Sequence, residues 1–517
     1  MDWLNNACFY EIYPQSFKDS NGDGIGDFNG IIEKLDYIKE LGCNGIWMNP
    51  CFDSPFKDAG YDVRDYKKVA ARYGTNEDLE RLFVEAHKRG IKILLDLVPG
   101  HTSDEHEWFK DSKKAEPGEF KDRYIWTDFW YGEARNLRGI AGMADRNGIY
   151  VVNFFASQPA LNYGFLNKTE KWQSDVDSPE AIATADAMCD VMKFWLSKGA
   201  DGFRVDMADS LVKFDDDDKS ATCKVWKRII SEVKKEYPEA RLVSEWNRPR
   251  QSLPAGFDMD FMLNWTGNGY DLLLRDTGSE KPSPIFKKDS KRDINDFLND
   301  YLPQYEDTRE SGRYCLITGN HDTDRVSYYL DEDERKVAFA FLLTMPGAPF
   351  IYYGDEIGMR YMKELPSKEG GYTRTGSRTP MQWDDSEGAG FSTANKDSFY
   401  LPIDADLKGK NAKEQMAKEG SLYNTVKEVI ALRKSNEALL DNGNLDFVLR
   451  QPGRREFAFK RGDLLIVVNP SEKACKVDSS DVKISSLPEK KYSIGDVKTD
   501  KGVIEMGPVS FGVFVIS

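Results

Sequence analysis

The sequence predicts an α/β protein: a (β/α)8 TIM barrel with a subdomain inserted after its third strand and a C-terminal antiparallel β domain. Short apolar runs alternate with segments of helical periodicity over about the first 360 of 517 residues. Beyond about residue 442 the pattern changes to short, closely spaced strands separated by turns. The length also suits a barrel of about 250 residues or more with accessory domains.

Eight apolar runs are the predicted barrel strands: 9–14, 45–50, 91–98, 202–207, 241–246, 257–263, 314–319 and 349–353. Runs that are apolar or β-branched at nearly every position are typical of parallel strands buried on both faces. The segments between them carry helical periodicity, as at 30–41 and 331–343. Eight strands with helices between them favour a closed barrel over a doubly wound sheet, which has fewer strands and a Gly-rich first turn.

The intervals between the strands predict the domain limits. About 80 residues rich in Trp, Tyr, Gly and Asn follow the third strand, and a structureless loop of that length does not suit a compact domain. We therefore expect an inserted subdomain there. The predicted domains are the first part of the barrel at 1–101, the inserted domain at 102–172, the second part of the barrel at 173–440 and a C-terminal β-sandwich at 441–517.

Net charge and composition argue against some classes of binding partner. The net charge of −16 and the absence of a long basic run argue against binding to nucleic acid or anionic membranes, and suit a neutral small molecule such as an oligosaccharide. No window approaches 18 apolar residues, and the N-terminus lacks the pattern of a signal peptide. Seven dispersed cysteines without a C-x-x-C pair suit reduced thiols. We expect a cytoplasmic monomer or small homo-oligomer without an organic cofactor.

Three acids, Asp206, Glu245 and Asp322, each stand at the C-terminal end of a predicted strand. Because the C-terminal ends of parallel strands meet at one rim, we expect these carboxyls to lie together. Arg204 shares a strand face with Asp206, so its charge is expected to lower the pKa of that carboxyl. Two carboxyls with different pKa values are what retaining glycoside cleavage requires. The residues alone leave open a structural ion-pair network.

A metal site is predicted in the loop D-S-N-G-D-G-I-G-D at 19–27, where oxygen-bearing side chains alternate with residues that permit a tight turn. The expected ligands are the side chains of Asp19, Asn21, Asp23 and Asp27 and the carbonyl of Ile25. Ca²⁺ is favoured over Mg²⁺, which demands a stricter octahedron. An ordinary Asx/Gly turn is the alternative.

Several motifs resemble the α-amylase superfamily, glycoside hydrolase family 13. LLDLVPGH at 94–101, GFRVD at 202–206, Glu245 and GNHD at 319–322 occur in the order of its signature regions, and FASQPALNYG at 155–164 resembles a further one. GIGDFNGI, GYDVRDY, FIYYGDEIGM and SRTPMQWD look like the oligo-1,6-glucosidase/α-glucosidase branch. The resemblance covers residue 2 to about residue 439.

This resemblance implies separate catalytic roles for the three acids. Asp206 would be the nucleophile, Glu245 the general acid/base and Asp322 the stabiliser of the transition state, while Arg204 would orient the nucleophile. The implied sugar-binding residues are Tyr61 as an aromatic platform, His101 and His321 as ligands of sugar hydroxyls, and Asp62 with Arg378 as a pair that blocks the pocket.

The resemblance implies a retaining, exo-acting α-glucosidase that releases terminal glucose from short α-1,4/α-1,6 gluco-oligosaccharides. A transglucosylase or isomerase acting on sucrose, maltose or trehalose through the same covalent intermediate is the alternative. A non-catalytic binding barrel is a second alternative, which the presence of all three acids argues against. Met207, directly after the predicted nucleophile, matches neither the Val associated with α-1,6 cleavage nor the residues associated with α-1,4 cleavage, so linkage preference stays open.

Overall fold

The computed structural model describes residues 2–131, 134, 136–368, 374–484, 489–500 and 502–516. Its strands, in chain order, are β1 (Phe9–Ile12), β2 (Gly45–Met48), β3 (Phe52–Asp53), β4 (Asp65–Val69), β5 (Lys92–Leu97), β6 (Gly139–Ala141), β7 (Ile149–Val151), β8 (Gly202–Val205), β9 (Arg241–Ser244), β10 (Met259–Phe261), β11 (Arg313–Cys315), β12 (Phe350–Tyr352), β13 (Asp446–Leu449), β14 (Phe457–Arg461), β15 (Leu464–Asn469), β16 (Cys475–Asp478), β17 (Glu489–Ile494), β18 (Val497–Asp500), β19 (Val503–Met506) and β20 (Ser510–Val515). Its α-helices are α1 (Phe28–Leu41), α2 (Asn76–Lys88), α3 (Glu107–Ser112), α4 (Pro179–Lys198), α5 (Ser220–Glu236), α6 (Pro249–Ser252), α7 (Gly269–Leu274), α8 (Asn295–Thr308), α9 (Glu332–Thr344), α10 (Ala412–Ala417), α11 (Leu422–Lys434) and α12 (Glu437–Leu440).

Eight parallel strands form the barrel, in the order β11, β10, β9, β8, β5, β2, β1 and β12. A parallel bridge between Ile317 and Phe350 joins the two outer strands and closes the cylinder. Seven of the eight predicted runs contain one of these strands, and the run at 314–319 overlaps β11, which begins one residue earlier, so the predicted barrel is confirmed. The C-terminal ends of all eight therefore share one rim, where α/β barrels carry their active sites.

Aromatic rings fill part of the barrel interior and hold its strands in register. The rings of Phe9 on β1 and Phe350 on β12 stack with centroids 4.3 Å apart, and Trp47 on β2 stacks on Phe261 of β10 at 5.2 Å. All four side chains are buried. A barrel interior filled by buried side chains is a rigid base for the rim.

Local sequence signals set the ends of the barrel helices. Asp27 accepts a hydrogen bond from the amide of Gly30 and so caps the N-terminus of α1, which ends at the left-handed Gly42. Helix α4 begins with Ser178 as its cap followed by proline, and it ends at the left-handed Gly199. These caps fix where each helix returns the chain to the next strand.

The segment between β5 and α4 contains α3 and the antiparallel pair β6–β7, and it packs around a small apolar cluster that includes Ile125, Val151 and Phe165. A bridge between His101 and Ala160 ties it to the end of β5. It therefore lies next to the catalytic rim. This arrangement confirms the predicted insertion after the third barrel strand.

The C-terminal region forms two antiparallel sheets, with the orders β13-β14-β15-β20-β17 and β16-β19-β18. It joins the barrel through the buried Arg461 of β14, which donates to the carbonyls of Thr344 and Leu439. Within the barrel, the buried Arg433 of α11 donates to the carbonyls of Leu343 and Met345. These guanidiniums satisfy helix-end carbonyls that have no partner within their own helix. In the part of the chain that the structure describes, no helix combines the length and apolarity needed to cross a membrane.

Candidate active site

Arg204 stands at the centre of the site and contacts three carboxylates. Its Nη1 lies 2.8 Å from Asp96 Oδ1 and 3.0 Å from Asp206 Oδ1, and its Nη2 lies 2.8 Å from Glu245 Oε2. Asp206 and Glu245 directly follow β8 and β9, which are neighbours in the barrel. Because one guanidinium holds both carboxyls, they lie side by side. This favours the separation of about 5–5.5 Å found in retaining glycosidases over the wider spacing of inverting ones.

The backbone after the nucleophile candidate adds another contact. Met207 adopts a left-handed conformation, with φ at 41°, which is strained for a residue other than glycine. In this conformation its amide donates to Glu245 Oε2 at 3.0 Å. The turn after Asp206 therefore helps to position the carboxyl of Glu245.

The pKa of Asp206 differs from the expectation based on Arg204. Burial raises the pKa of Asp206 well above its ordinary value, and the negative charge of Glu245 raises it further, while Arg204 opposes both effects. The predicted lowering is therefore wrong, because three carboxyls compete for one cation. With a raised pKa, Asp206 keeps its proton to higher pH than an exposed aspartate does.

Asp322 has the opposite surroundings. Its Oδ1 lies 2.8 Å from Arg374 Nη1 and 2.6 Å from Arg378 Nη2, and about 35% of its side chain is accessible because it faces the cavity. The enclosing protein raises the pKa of Asp322, but His321, Arg374 and Arg378 outweigh that effect and hold it well below its usual range. Since burial lowers the pKa of His321 well below its ordinary value, the two guanidiniums carry the effect at neutral pH. Asp322 stays ionised.

Tyr61 and His321 connect these two groups of charges. The hydroxyl of Tyr61 lies 2.7 Å from His321 Nε2 and 3.2 Å from Arg204 Nη1, and the two rings stack with centroids 5.4 Å apart. His321 Nδ1 lies 2.9 Å from Oε1 of the fully buried Glu11, which fixes the orientation of the imidazole. Tyr61 and His321 are thus in place as a rigid polar wall.

The predicted pairing of Asp62 with Arg378 is wrong. Asp62 is buried and accepts hydrogen bonds from Ser54 Oγ and the amides of Lys57 and Asp58. Across the described chain, no ion pair joins it to Arg378. The loop carboxylate that meets an arginine is that of Asp58, which lies 2.6 Å from Arg374 Nη2. The backbone explains the exchange: Ala59, at φ 53°, and Gly60, at φ 99°, are left-handed and reverse the chain between the two acids.

These side chains surround a cavity of about 270 Å³, which is lined by Asp58, Tyr61, His101, Phe154, Asp206, Met207, Asp209, Glu245, Trp246, Leu263, Trp265, Asp322 and Arg374. The imidazole of His101 contacts the carbonyl of Tyr61 through Nε2 at 3.0 Å and Asn153 through Nδ1 at 3.2 Å. Burial lowers its pKa to about 4, so it is neutral at pH 7. A cavity of this size, below the roughly 300–1,000 Å³ of drug-sized ligand pockets, suits a single sugar ring with polar contacts around it.

Comparison with known proteins identifies the family. The family model described as "Alpha amylase, catalytic domain" matches residues 11–442. The chain belongs to the α-amylase superfamily, glycoside hydrolase family 13. The predicted resemblance is confirmed, and the protein is a glycoside hydrolase.

Relatives within this family have different activities. Glucan 1,6-alpha-glucosidase of Streptococcus pneumoniae is 33% identical over 522 residues, 91% of each chain, and oligo-1,6-glucosidase of Heyndrickxia coagulans is 32% identical over 93% of this chain and 94% of its own. Trehalose synthase/amylase TreS of Mycolicibacterium smegmatis is 33% identical over 84% of this chain and 77% of its own. Among solved structures, the trehalulose synthase MutB from Pseudomonas mesoacidophila MX-45 superposes with a TM-score of 0.82 at 25% identity, with 100% of both chains covered.

The 19–27 loop folds as a series of Asx turns in this family 13 barrel. Asp19 Oδ1 accepts the amides of Asn21 and Gly22, Asn21 Oδ1 accepts that of Asp23, and Asp23 Oδ1 accepts that of Ile25. Asp27 caps α1. Among the described residues, no three acid, histidine or cysteine side chains converge as a metal site. These hydrogen bonds are those of an Asx/Gly turn, which is the alternative to a metal site. Binding of a cation by this loop stays a prediction.

The sequence analysis did not identify Asp58, Glu11 or Asp96 as site residues. Asp96 accepts from Trp47 Nε1 and Tyr61 OH as well as from Arg204, and burial raises its pKa to about 6. Asp58 stands three residues before Tyr61, just before the motif that contains Asp62, and the geometry of the turn decides which of the two acids meets an arginine. Glu11 lies inside the first predicted strand. An acid in a strand expected to be buried was the signal that could have identified it as a site residue.

Proposed function

We propose that the protein is a retaining, exo-acting α-glucosidase that removes terminal glucose from short α-1,4/α-1,6 gluco-oligosaccharides. The observation that carries the proposal is the contact of both Asp206 and Glu245 with Arg204 beside a cavity of single-ring size. One wall of that cavity is the ion pair of Asp58 with Arg374. A wall of this kind supports the cleavage of one glucose at a time from a chain end.

The two carboxyls perform a double displacement. Asp206 attacks the anomeric carbon and forms a glycosyl ester while Glu245 gives its proton to the glycosidic oxygen, so that the bond to the leaving group breaks. Glu245 then takes a proton from water, whose oxygen attacks the same carbon and releases glucose and free Asp206. Asp322, held ionised by two arginines, stabilises the positive charge that develops on the sugar ring.

The alternative is a transglucosylase or isomerase that forms the same glycosyl ester and transfers it to a sugar. The similarity to trehalose synthase/amylase TreS and to trehalulose synthase MutB supports this candidate. The two reactions differ only in whether water or a sugar hydroxyl reaches the ester first. The catalytic side chains are the same in both.

Incubation with maltose, isomaltose, sucrose and trehalose, followed by chromatography of the products, tests the proposal. The expected result is release of free glucose, with the α-anomer formed first. Conversion of a disaccharide into an isomeric disaccharide without net glucose release would instead establish the alternative. A protein that leaves all four sugars and p-nitrophenyl α-glucoside unchanged would refute both.

A structural Ca²⁺, or Mg²⁺, in the 19–27 loop is tested separately by thermal unfolding. Adding CaCl₂ after treatment with EDTA is expected to raise the Tm of the wild-type protein, since a ligand that binds only the folded state stabilises it. The shift should disappear in Asp23→Ala, whose carboxylate is exposed, and persist in Asp65→Ala, an exposed acid outside the loop. An unchanged wild-type Tm refutes the site.

Cytoplasmic location and a monomeric or small homo-oligomeric state stay predictions from the sequence. All seven cysteines are free thiols in the described chain, and five of them are buried. Cell fractionation and size-exclusion chromatography with light scattering measure the two properties.

A further inference from the structure

A fully buried acid lies near the end of the first barrel strand. Glu11 is the third residue of β1, and it pairs with Trp47 of β2 and Tyr352 of β12 in the register of the barrel. Glutamate is almost never fully buried unless its carboxyl is paired or neutral, because a buried charge without a partner is costly. The double displacement described above uses neither the charge nor the proton of Glu11.

The hydrogen bonds of this carboxyl are confined to one of its oxygens. Oε1 lies 2.9 Å from His321 Nδ1, 3.2 Å from the side-chain nitrogen of Asn49 and 3.4 Å from the backbone nitrogen of His321. Oε2 is buried and has no hydrogen-bond partner among the described residues. A carboxylate carries its charge on both oxygens, and a buried anion needs donors around both. The unpartnered oxygen therefore favours the neutral, protonated carboxyl.

The charges around Glu11 and His321 agree with a neutral pair. Burial raises the pKa of Glu11 well above its ordinary value and the charge of Asp96 raises it further, while Asn49 and Arg204 oppose the shift. Burial also lowers the pKa of His321 well below its ordinary value. The contact between the two side chains is thus a hydrogen bond between neutral groups, with one proton to place.

Asn49 indicates which of the two atoms donates. Its side-chain nitrogen lies 3.0 Å from His321 Nδ1 as well as 3.2 Å from Glu11 Oε1. An amide nitrogen only donates, so Nδ1 is an acceptor and carries no proton. The reverse orientation of the amide would instead place its oxygen against Oε1 of Glu11. Glu11 therefore donates to Nδ1.

The other edge of the imidazole leads to the same tautomer. The hydroxyl of Tyr61 has one proton and donates it to Asp96 Oδ2 at 3.0 Å, since Asp96, with a pKa of about 6, is mainly ionised at pH 7. The Tyr61 oxygen then accepts from Arg204 Nη1 at 3.2 Å and from His321 Nε2 at 2.7 Å. Nε2 also lies 3.5 Å from Asp322 Oδ2. The proton of the neutral ring is therefore on Nε2.

We infer that Glu11 is protonated at neutral pH and donates to His321 Nδ1, which keeps the imidazole proton on Nε2. Glu11 is then a positioning residue that acts through His321 on Tyr61 and Asp322. In the other tautomer, the lone pair of Nε2 would face the carboxylate of Asp322 and compete with Asp96 for the proton of Tyr61. That arrangement would weaken the stabilisation of the transition state. The catalytic consequence rests on the proposed function, whereas the position of the proton does not.

Nuclear magnetic resonance of protein labelled with ¹⁵N-histidine tests the position of the proton. The chain has four histidines, and a long-range ¹H–¹⁵N correlation spectrum distinguishes protonated from unprotonated ring nitrogens. His321→Asn identifies the signals of His321. In the wild type we expect a protonated Nε2 and an unprotonated Nδ1, without change between about pH 6 and pH 8, the range in which an ordinary histidine titrates.

Two substitutions of Glu11 separate its donor from its volume. Glu11→Gln still offers a donor, so it should keep the His321 signals and keep kcat/KM for p-nitrophenyl α-glucoside within about threefold of the wild type. Glu11→Leu is of similar size but has no donor. In this variant a His321 signal with a protonated Nδ1 should appear, and kcat/KM should fall by roughly ten- to a hundredfold.

Glu356 provides the matched control. It is another fully buried acid of the barrel, and its Oε1 accepts from the hydroxyls of Tyr10 and Tyr37. None of its hydrogen bonds within the described residues reaches His321. Glu356→Leu should lower Tm, as Glu11→Leu does, but it should leave the tautomer of His321 unchanged.

Two results would overturn the inference. One is a wild-type His321 with a protonated Nδ1, because Glu11 would then be the acceptor. The other is a folded Glu11→Leu variant that keeps the wild-type signals, and the wild-type spectrum decides the matter where that variant does not fold. The spectra are recorded without substrate, so both results are independent of glucose release. A wild-type protein that fails to release glucose counts against the proposed function instead.

Discussion

The active site contains two groups of charged side chains. In one group carboxylates outnumber guanidiniums, and in the other guanidiniums outnumber carboxylates. Around Arg204, the three carboxylates of Asp96, Asp206 and Glu245 share one guanidinium. Around Asp322, two guanidiniums, those of Arg374 and Arg378, hold one carboxylate. Burial raises the pKa of Asp96 and of Asp206 in the first group, where one guanidinium opposes it, whereas in the second group the two guanidiniums outweigh burial and lower the pKa of Asp322.

The difference shows how one residue type acquires two functions. Where acids outnumber arginines, burial and like charges raise carboxyl pKa values, which favours proton exchange with a substrate. Where arginines outnumber acids, the carboxylate keeps its charge at any working pH, as a stabiliser of positive charge must. The count of neighbouring charges, more than the identity of the residue, assigns the role.

Removing the attacking carboxylate from the acid-rich group should have the largest effect. Asp206→Asn preserves the shape of the side chain but cannot form the glycosyl ester, so kcat on p-nitrophenyl α-glucoside should fall by about 10⁴-fold or more. Asp190→Asn, the same change on an exposed acid of α4, is the control. Full turnover by Asp206→Asn would eliminate the mechanism.

Azide distinguishes the roles within that group. In Asp206→Gly, azide can displace the leaving group directly, and a single inversion gives the β-glucosyl azide. In Glu245→Ala, azide attacks the glycosyl ester instead, and two inversions give the α-glucosyl azide. The opposite pair of products would exchange the two assignments.

Breaking the arginine-rich group should have the next largest effect. Arg374 contacts both Asp58 and Asp322, so Arg374→Ala should lower kcat/KM by about 10²-fold, as expected when one partner of an enclosed ion pair is removed. Arg374→Lys should restore little, because an ammonium cannot reproduce the guanidinium fork. The changes Asp58→Asn and Arg374→Ala should be non-additive, whereas Asp62→Asn should mainly lower Tm. Strict additivity would mean that Asp58 and Arg374 do not act as a pair.

Changing the charge ratio of the acid-rich group should have the smallest effect. Asp96→Asn removes a negative charge that raises the pKa of Asp206, so that pKa should fall. Because Asp206 must be ionised to attack in the proposed mechanism, the acid limb of the kcat/KM profile should then move to lower pH. Asp58→Asn should leave the position of that limb in place. A limb that moves to higher pH in Asp96→Asn would contradict the proposed charge balance.

Sequence reasoning located the barrel strands and brought Asp206, Glu245 and Asp322 together because parallel strands end at one rim. Sequence reasoning failed to predict contacts between residues that are far apart in the chain. Arg204 is visible beside Asp206 in the sequence, whereas the stronger influence of Glu245 depends on the pairing of β8 with β9. Asp58 and Asp62 flank the same tyrosine, and the left-handed Ala59 that selects between them carries no sequence signal, since glycine is the residue expected at such φ values.

The ion pair of Asp58 with Arg374 has a consequence for the effective concentration of the enzyme's substrate. Under the proposed exo-acting function, a cavity walled behind the first ring admits chain termini rather than internal bonds, so the effective substrate concentration is the number of non-reducing ends per volume. The same mass of glucan presents many ends as short fragments and few as a polymer. Such an enzyme works fastest downstream of activities that fragment polysaccharides, and a chain whose last unit carries a bulky modification is protected along its whole length.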